Sequence, residues 1–421
     1  MPGLFPTGCK PALVVAATLV ATLMSPPAPG RAILLKRPVT KVALRCEGSS
    51  DPTLFSNNRR LVTSAKGRLL ALYDPHGAGQ QLVWRDPPGK WRRTTRGQVP
   101  DGFFPGGGRR DRSDRPSSIA LVRDERGHQT AWIVTSGGAF GRAEGAGVRL
   151  RRLSRLNHPE GPKVGPAVRV TRGQGARADV AFERGPNGRY RGVISWLYKT
   201  PRSTYRFRTA WFTDLTSSEP RIRARRTIFR SVVGSPTGTL VRTERGMRII
   251  AATGSGRLRL FAHRAGTALG QWYRGRADVS IWPGSKPSAV ALPTGRILAA
   301  GEMRARGRRA VRVWRFSASG SDVTRLMHRG GWDRAALTSR RSGQAWLVAV
   351  RRGDKKIVSR GFRPGSGWGR VRVETRVRGP LSTAAPNVPR YSKRRLRILL
   401  AAGPCPGPRD ANGVIAYQRG F

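Results

Sequence analysis

Apolar and polar positions along most of the chain repeat one unit, in which an apolar strand, a polar turn and a second, more strongly apolar strand follow one another. Six of the turns contain a glycine, and consecutive turns lie roughly 50 to 60 residues apart, as in four-stranded propeller blades. The units span residues 61–73, 119–134, 179–198, 238–253, 288–302, 335–350 and 382–403. The turn glycines are Gly67, Gly127, Gly188, Gly246, Gly295 and Gly343. The pattern predicts an all-β chain that forms a β-propeller of seven blades, with six as the alternative.

Two kinds of strand can be distinguished within this pattern. Second strands such as 131–134 are apolar on both faces, which is typical of strands covered on both sides by neighbouring blades. Segments 205–212, 310–316 and 370–378 alternate arginine with apolar residues, so their arginines share one face. We expect the alternating segments to be outer strands with one face in water.

The ends of the chain suggest how the ring closes. The seventh unit, together with residues 413–420, supplies about three strands, and residues 39–46 form a spare strand near the start. We therefore expect strands from both ends to share one blade. Cys46 and Cys405 would then lie in that blade, and in an oxidising compartment they are expected to form a disulfide.

The first 32 residues have the features of a secretory signal peptide. Lys10 precedes an apolar segment at 11–24, and small residues follow up to Ala32. That segment is shorter than the roughly 20 residues a spanning helix needs, and no later stretch is apolar enough to span a membrane. We expect a secreted or cell-envelope protein, monomeric, with one propeller domain at 33–421 and a long loop at 100–118.

The net charge of the chain limits the kinds of molecule that it is expected to bind. The chain has 80 Lys and Arg against 23 Asp and Glu, a formal net charge of +57, spread over its whole length. Such a field attracts polyanions, so we expect binding to anionic polysaccharide or envelope polymer, with non-specific nucleic-acid binding through phosphates. An alternative interpretation of the charge remains open. In it, surface positions simply tolerate arginine, and any binding to polyanions is incidental.

Four glycine–tryptophan pairs follow the hairpin units. Two interpretations are open for their rings: wedging between adjacent blades, or stacking on a bound ligand. The candidate stacking residues are Trp91, Trp272, Trp332 and Trp368.

The unit of strand, glycine turn, apolar strand and Gly–Trp pair resembles sialidase-like (BNR-type) propellers and propeller lectins of the tectonin and fucose-lectin kind. The resemblance covers most of residues 59–421. No intact Ser-x-Asp-x-Gly-x-Thr-Trp box occurs, and the nearest fragment is Asp86–Trp91. The resemblance implies a propeller with lectin-like binding or glycosidase activity.

No motif for catalysis, metal binding or cofactor binding is found in the sequence. The five histidines are far from one another and from the cysteines, which excludes local metal-ligand spacing. No catalytic pair stands out among the acids, so no catalytic residues are predicted, and neither a cofactor nor a metal is expected. Three functions remain open: a binding protein for anionic glycans or envelope polymers, a sialidase-like hydrolase, and a structural or partner-docking propeller. The absence of a catalytic motif favours binding over an enzyme.

Overall fold

The computed structural model describes residues 39–48, 60–73, 81–86, 89–94, 117–123, 126–137, 147–171, 175–200, 204–264, 266–305, 307–340, 342–353, 356–375, 388, 396–402 and 412–418. Every regular element in these ranges is a β-strand. The part of the chain that the structure describes holds no apolar helix of membrane-spanning length. The predicted signal peptide and most of the predicted loop at 100–118 lie outside the described residues, although Ser117 and Ser118 belong to a strand.

The strands form consecutive antiparallel sheets. Blade 1 contains β2 (Leu61–Thr63), β3 (Leu69–Tyr73), β4 (Gln81–Arg85) and β5 (Arg92–Arg93). Blade 2 contains β6 (Ser117–Arg123), β7 (Gln129–Gly137), β8 (Gly147–Ser154), β9 (Lys163–Val164) and β10 (Val168–Arg169). Both β9 and β10 pair with β8. Blade 3 contains β11 (Gly175–Arg184), β12 (Tyr190–Lys199), β13 (Tyr205–Thr213) and β14 (Arg221–Ser231).

Blade 4 contains β15 (Thr237–Thr243), β16 (Gly246–Ala252), β17 (Arg257–Ala262) and β18 (Tyr273–Ser280). Blade 5 contains β19 (Ser288–Ala291), β20 (Ile297–Ala305), β21 (Arg308–Phe316) and β22 (Val323–Gly330). Blade 6 contains β23 (Trp332–Ser339), β24 (Ala345–Arg351), β25 (Lys356–Arg363) and β26 (Gly367–Thr375). A three-stranded sheet, here called the closing sheet, contains β1 (Val39–Gly48), β28 (Asn412–Gln418) and β27 (Arg397–Ala402), in that order.

The predicted hairpin units are the first two strands of each blade. Five of the turn glycines have φ between 75° and 92°, a region that residues with a Cβ avoid. In the sixth turn, Gly246 has a φ of 110° and pairs with Thr243 across a two-residue turn. The glycines therefore determine where each first strand reverses into the second.

The core consists of layers between neighbouring blades. Ile133 of β7 packs toward blade 1, whereas the adjacent Trp132 packs toward blade 3, because successive side chains in a strand point to opposite faces. Trp132, Trp196 and Trp211 are among the largest fully buried side chains. The doubly apolar second strands are thus covered on both sides, as predicted.

The closing sheet joins the two ends of the described chain. Val39 of β1 pairs with Tyr417 of β28 in an antiparallel ladder. Ile398 of β27 lies in a buried cluster with Val350 of blade 6, and the Arg397 Nη1 donates to Thr63 Oγ1 of blade 1 at 2.6 Å. The closing sheet therefore contacts both the last and the first blade.

Two expectations about the strands need correction. Six blades have four or more strands, so the predicted count of seven complete blades is wrong and the alternative of six holds. Among the described residues of the seventh unit, 388 and 396–402, the structure has the strand β27. Of the alternating segments, only 370–375 is outermost, whereas 205–212 and 310–316 lie in the third strands β13 and β21.

Candidate functional site

An arginine-lined cavity of about 520 Å³ opens where blades 4, 5 and 6 meet. We call it the arginine cavity. Its volume is within the range of small-molecule sites. Its lining residues are Trp282, Arg304, Gly307, Arg308, Arg309, Gly331 and Arg352.

Backbone hydrogen bonds hold the three chain segments of the cavity together. The Gly331 N–H, in the connection between blades 5 and 6, donates to the Arg309 carbonyl at 2.9 Å. The Gly331 carbonyl accepts from the Arg352 N–H of the β24–β25 turn, also at 2.9 Å. Gly331 has a φ of 71°, and a Cβ there would meet no atom within 4 Å. The backbone conformation therefore favours glycine, and the space beside Gly331 is open.

The wall formed by the connection between blades 4 and 5 is fixed through Glu302. The Glu302 carbonyl accepts from the Trp282 N–H, and its side-chain Oε1 accepts from the Arg334 N–H, both at 2.9 Å. The Glu302 N–H donates to Ser285 Oγ at 2.9 Å. One residue of β20 thus holds the connection between blades 4 and 5 and the start of β23.

A buried carboxylate orients two of the four guanidinium groups. Asp333 is 2% exposed, and its Oδ2 accepts from Arg352 Nε at 2.5 Å and lies 3.7 Å from Arg309 Nη1. The Arg309 guanidinium also lies over the Trp282 ring, 4.7 Å from its centroid, in a cation–π contact. Arg309 and Arg352 are therefore held in place before any ligand binds.

The remaining two guanidinium groups face solvent. Arg304 and Arg308 are exposed, and no carboxylate in the described part of the chain forms an ion pair with them. The lining thus has four guanidinium groups, and Asp333 supplies the carboxylate that pairs with two of them. Such a group of N–H donors suits a carboxylate, sulfate or phosphate ligand.

The predicted stacking tryptophans lie elsewhere. Trp332 is 5% exposed in the core between blades 5 and 6, where its ring wedges between the blades. Trp368 packs against Phe362, and Trp272 against Trp211, both partly buried in inter-blade cores. Trp91 is partly buried before β5. None of the four lines the arginine cavity.

Sequence reasoning missed Trp282 and the arginines around it. The usable signal was the density of arginine in the segment 304–309, where four arginines surround Gly307 in a turn. Among the described residues no group of three His, Cys, Asp or Glu side chains could hold a metal ion. Cys405 and the side chain of Cys46 lie outside the described residues, so the disulfide stays a prediction.

The consecutive antiparallel sheets in the described part of the chain define the fold as an all-β propeller. Comparison with protein-family models and with curated proteins gives no match. Among solved structures, the chain is similar to a six-bladed lectin from Aleuria aurantia, with 11% identity, 76% of this chain and 97% of the lectin covered, and a TM-score of 0.44. It is also similar to a Hadza microbial sialidase, with 11% identity, coverage of 92% and 69%, and a TM-score of 0.47.

A third similar structure is a 6-phosphogluconolactonase homologue from Bacteroides uniformis, with 13% identity, coverage of 84% and 91%, and a TM-score of 0.46. These three structures are of a lectin, a sialidase and a 6-phosphogluconolactonase, so they differ in function. The fold assignment rests on the sheets described above, and the function has to be inferred from the chain's own residues.

Proposed function

We propose that the protein binds anionic glycans or other anionic envelope polymers, and that the arginine cavity holds one acidic group of the polymer. The observation that carries this proposal is the set of four guanidinium groups around one cavity, two of them oriented by Asp333 and two facing solvent. Charge-assisted hydrogen bonds from guanidinium to an oxyanion are among the stronger polar contacts available to a protein.

The outer strands support the same proposal over a wider surface. β14 exposes Arg221, Arg223, Arg225, Arg226 and Arg230 along one edge of blade 3. A polymer held in the arginine cavity would meet further positive charge outside it. Since each neutralised charge on the polymer releases counterions, total affinity should fall steeply as salt is raised.

The test separates the cavity from the general charge of the surface. Arg304→Glu/Arg308→Glu alters the cavity, and Arg221→Glu/Arg223→Glu alters β14 by the same net charge. Binding of a short heparin oligosaccharide is measured by titration calorimetry at low and high salt. The cavity variant should lose at least about tenfold in affinity, because two charge-assisted contacts of about 1.5–3 kcal/mol each are removed. Equal losses in both variants would show that only the overall field acts.

We also propose that the protein is exported, that residues 1–32 are removed, and that Cys46 and Cys405 form a disulfide in a monomer. The paired strands β1 and β28 support the disulfide, since Cys46 lies in β1 between residues paired with Val414 and Asn412. The purified, unreduced protein should begin at Ile33 and have no thiol that iodoacetamide labels. Two labelled cysteines would contradict the disulfide.

A further inference from the structure

A second cavity, of about 510 Å³, lies between blades 1 and 2. We call it the histidine cavity. Lys66 comes from the β2–β3 turn, His128 from the β6–β7 turn, Arg152 from β8, and Arg155 and His158 from the loop that follows β8. Three separate segments thus bring basic side chains to one place.

The two cavities open on opposite faces of the ring. In a blade of four sequential antiparallel strands, the turn between strands one and two and the turn between strands three and four lie at the same face. The histidine cavity is built from these turns. The arginine cavity is built from two turns between second and third strands, β20–β21 and β24–β25, and from the connections between blades, which lie at the other face. One ligand group therefore cannot occupy both cavities.

The charge of the histidine cavity is positive at neutral pH. Lys66, Arg152 and Arg155 line it, and no Asp or Glu is among its described lining residues. The Glu160 carboxylate, which is 82% exposed, lies 3.9 Å from His158 Nδ1. The two imidazoles add further hydrogen-bonding groups.

A buried arginine fixes the loop that supplies His158. Arg68 is 3% exposed, and its Nη1 donates to the carbonyls of Leu156 and His158 at 2.9 and 2.6 Å. Its Nε and Nη2 donate to the two carboxylate oxygens of Asp86, each at 2.6 Å. Hydrogen bonding from Arg68 is the main reason why the pKa of Asp86 lies below its ordinary value.

The other walls are also fixed without a ligand. Ser64 Oγ donates to Asn157 Oδ1 at 2.8 Å, and the Ala65 N–H donates to Gln129 Oε1 at 2.7 Å, so the β2–β3 turn is tied to both other segments. Arg155 has a φ of 50°, an uncommon backbone conformation for a residue with a Cβ. Strain of this kind is often found where a side chain has to be aimed at a ligand.

We propose that the histidine cavity is a second anion-binding site, and that it takes a tetrahedral oxyanion such as a phosphate group. The ammonium, guanidinium and imidazole groups come from three chain segments that line one cavity, which suits an anion with acceptor oxygens in several directions. A planar carboxylate is bound well by one guanidinium group through two parallel hydrogen bonds. The fixed walls lower the entropy lost on binding.

The test uses inorganic phosphate and the imidazole signals in NMR spectra, assigned with His128→Gln and His158→Gln. Phosphate should shift both signals in a saturable manner, and chloride at equal ionic strength should not. In Lys66→Glu/Arg155→Glu the dissociation constant should rise by at least about tenfold. Lys66→Gln, a milder change at an exposed position, should raise it less.

The matched control is Arg304→Glu/Arg308→Glu, which changes net charge equally at the other face. It should leave the phosphate titration unchanged, so failure of the arginine cavity as a glycan site would not affect this result. Shifts that grow linearly with phosphate, that chloride reproduces, or that survive in Lys66→Glu/Arg155→Glu would overturn the proposal.

Discussion

Asp179 joins three blades, and its removal should destabilise the ring. The side chain is fully buried in β11 of blade 3. Its Oδ1 accepts from Ser118 Oγ of blade 2 at 2.6 Å, and its Oδ2 accepts from the Leu240 N–H of blade 4 at 2.9 Å. The perturbation is Asp179→Ala.

The magnitude follows from these two inter-blade bonds, which are shorter than a third one from Thr239 Oγ1 to Oδ2 at 3.5 Å. Each is a hydrogen bond to a charged acceptor, which contributes about 1.5–3 kcal/mol, so their loss lowers the free energy of unfolding by about 3–6 kcal/mol. This sum includes the cost of leaving the buried Leu240 N–H without its acceptor. Because the entropy of unfolding grows with chain length, the melting temperature should fall by about 4–8 °C.

The assay is chemical unfolding followed by tryptophan fluorescence, with calorimetry for the melting temperature. Asp322→Ala is the control, because Asp322 is exposed and accepts from Ser321 within its own turn. It should change stability by less than about 0.5 kcal/mol. A loss of less than 1 kcal/mol in Asp179→Ala would refute the reasoning, since the carboxylate would then contribute no more than a surface group.

Two further predictions concern packing and protonation. A Cβ at Gly192 would lie 2.0 Å from the Phe212 ring, so Gly192→Ala should lower the free energy of unfolding by about 1–3 kcal/mol. Gly361→Ala is the control, because the nearest atom to a Cβ there is 3.5 Å away, and it should leave the free energy of unfolding unchanged in the same assay. The pKa of His328 is lowered, first by desolvation and then by the charges of nearby arginines, and Arg312 Nε donates to its Nδ1 at 3.1 Å. NMR titration of His328 should therefore give a midpoint below about pH 6.5, and the midpoint should rise in Arg312→Gln. Because the folded state disfavours the protonated imidazole, the contribution of His328 to stability should decline as the pH falls below about 6.5.

The blade hairpins could be predicted from the sequence because their signals are local. Gly188 reverses the chain within a few residues, and the apolar run that follows it can only be buried between two neighbours. The position of a strand within its blade could not be predicted in the same way. The alternation in 310–316 predicts that the two faces differ, but it does not say whether the strand is third or fourth, and this segment is third.

The candidate site was harder to predict because it is assembled from distant segments. Trp282, Arg309 and Arg352 meet only when three blades pack together, and each alone resembles any other Trp or Arg of this chain. Trp332 was singled out from the sequence, but it does not line the cavity. Its neighbour Gly331 lies in the cavity wall, whereas the Trp332 ring is buried in the core. A side-chain period of two separates such neighbours, and composition alone does not show which one is exposed.

The pairing of β1 with β28 has a consequence for how quickly the protein reaches its final state. Each blade forms from neighbouring residues, so its hairpins can assemble while the rest of the chain is still disordered. The ladder from Val39 to Tyr417, in contrast, spans almost the whole described chain, and contacts of such long range form slowly. Closure should therefore be the last and slowest step of folding. Until it occurs, blades 1 and 6 expose apolar surface to aggregation, as in other large β-proteins.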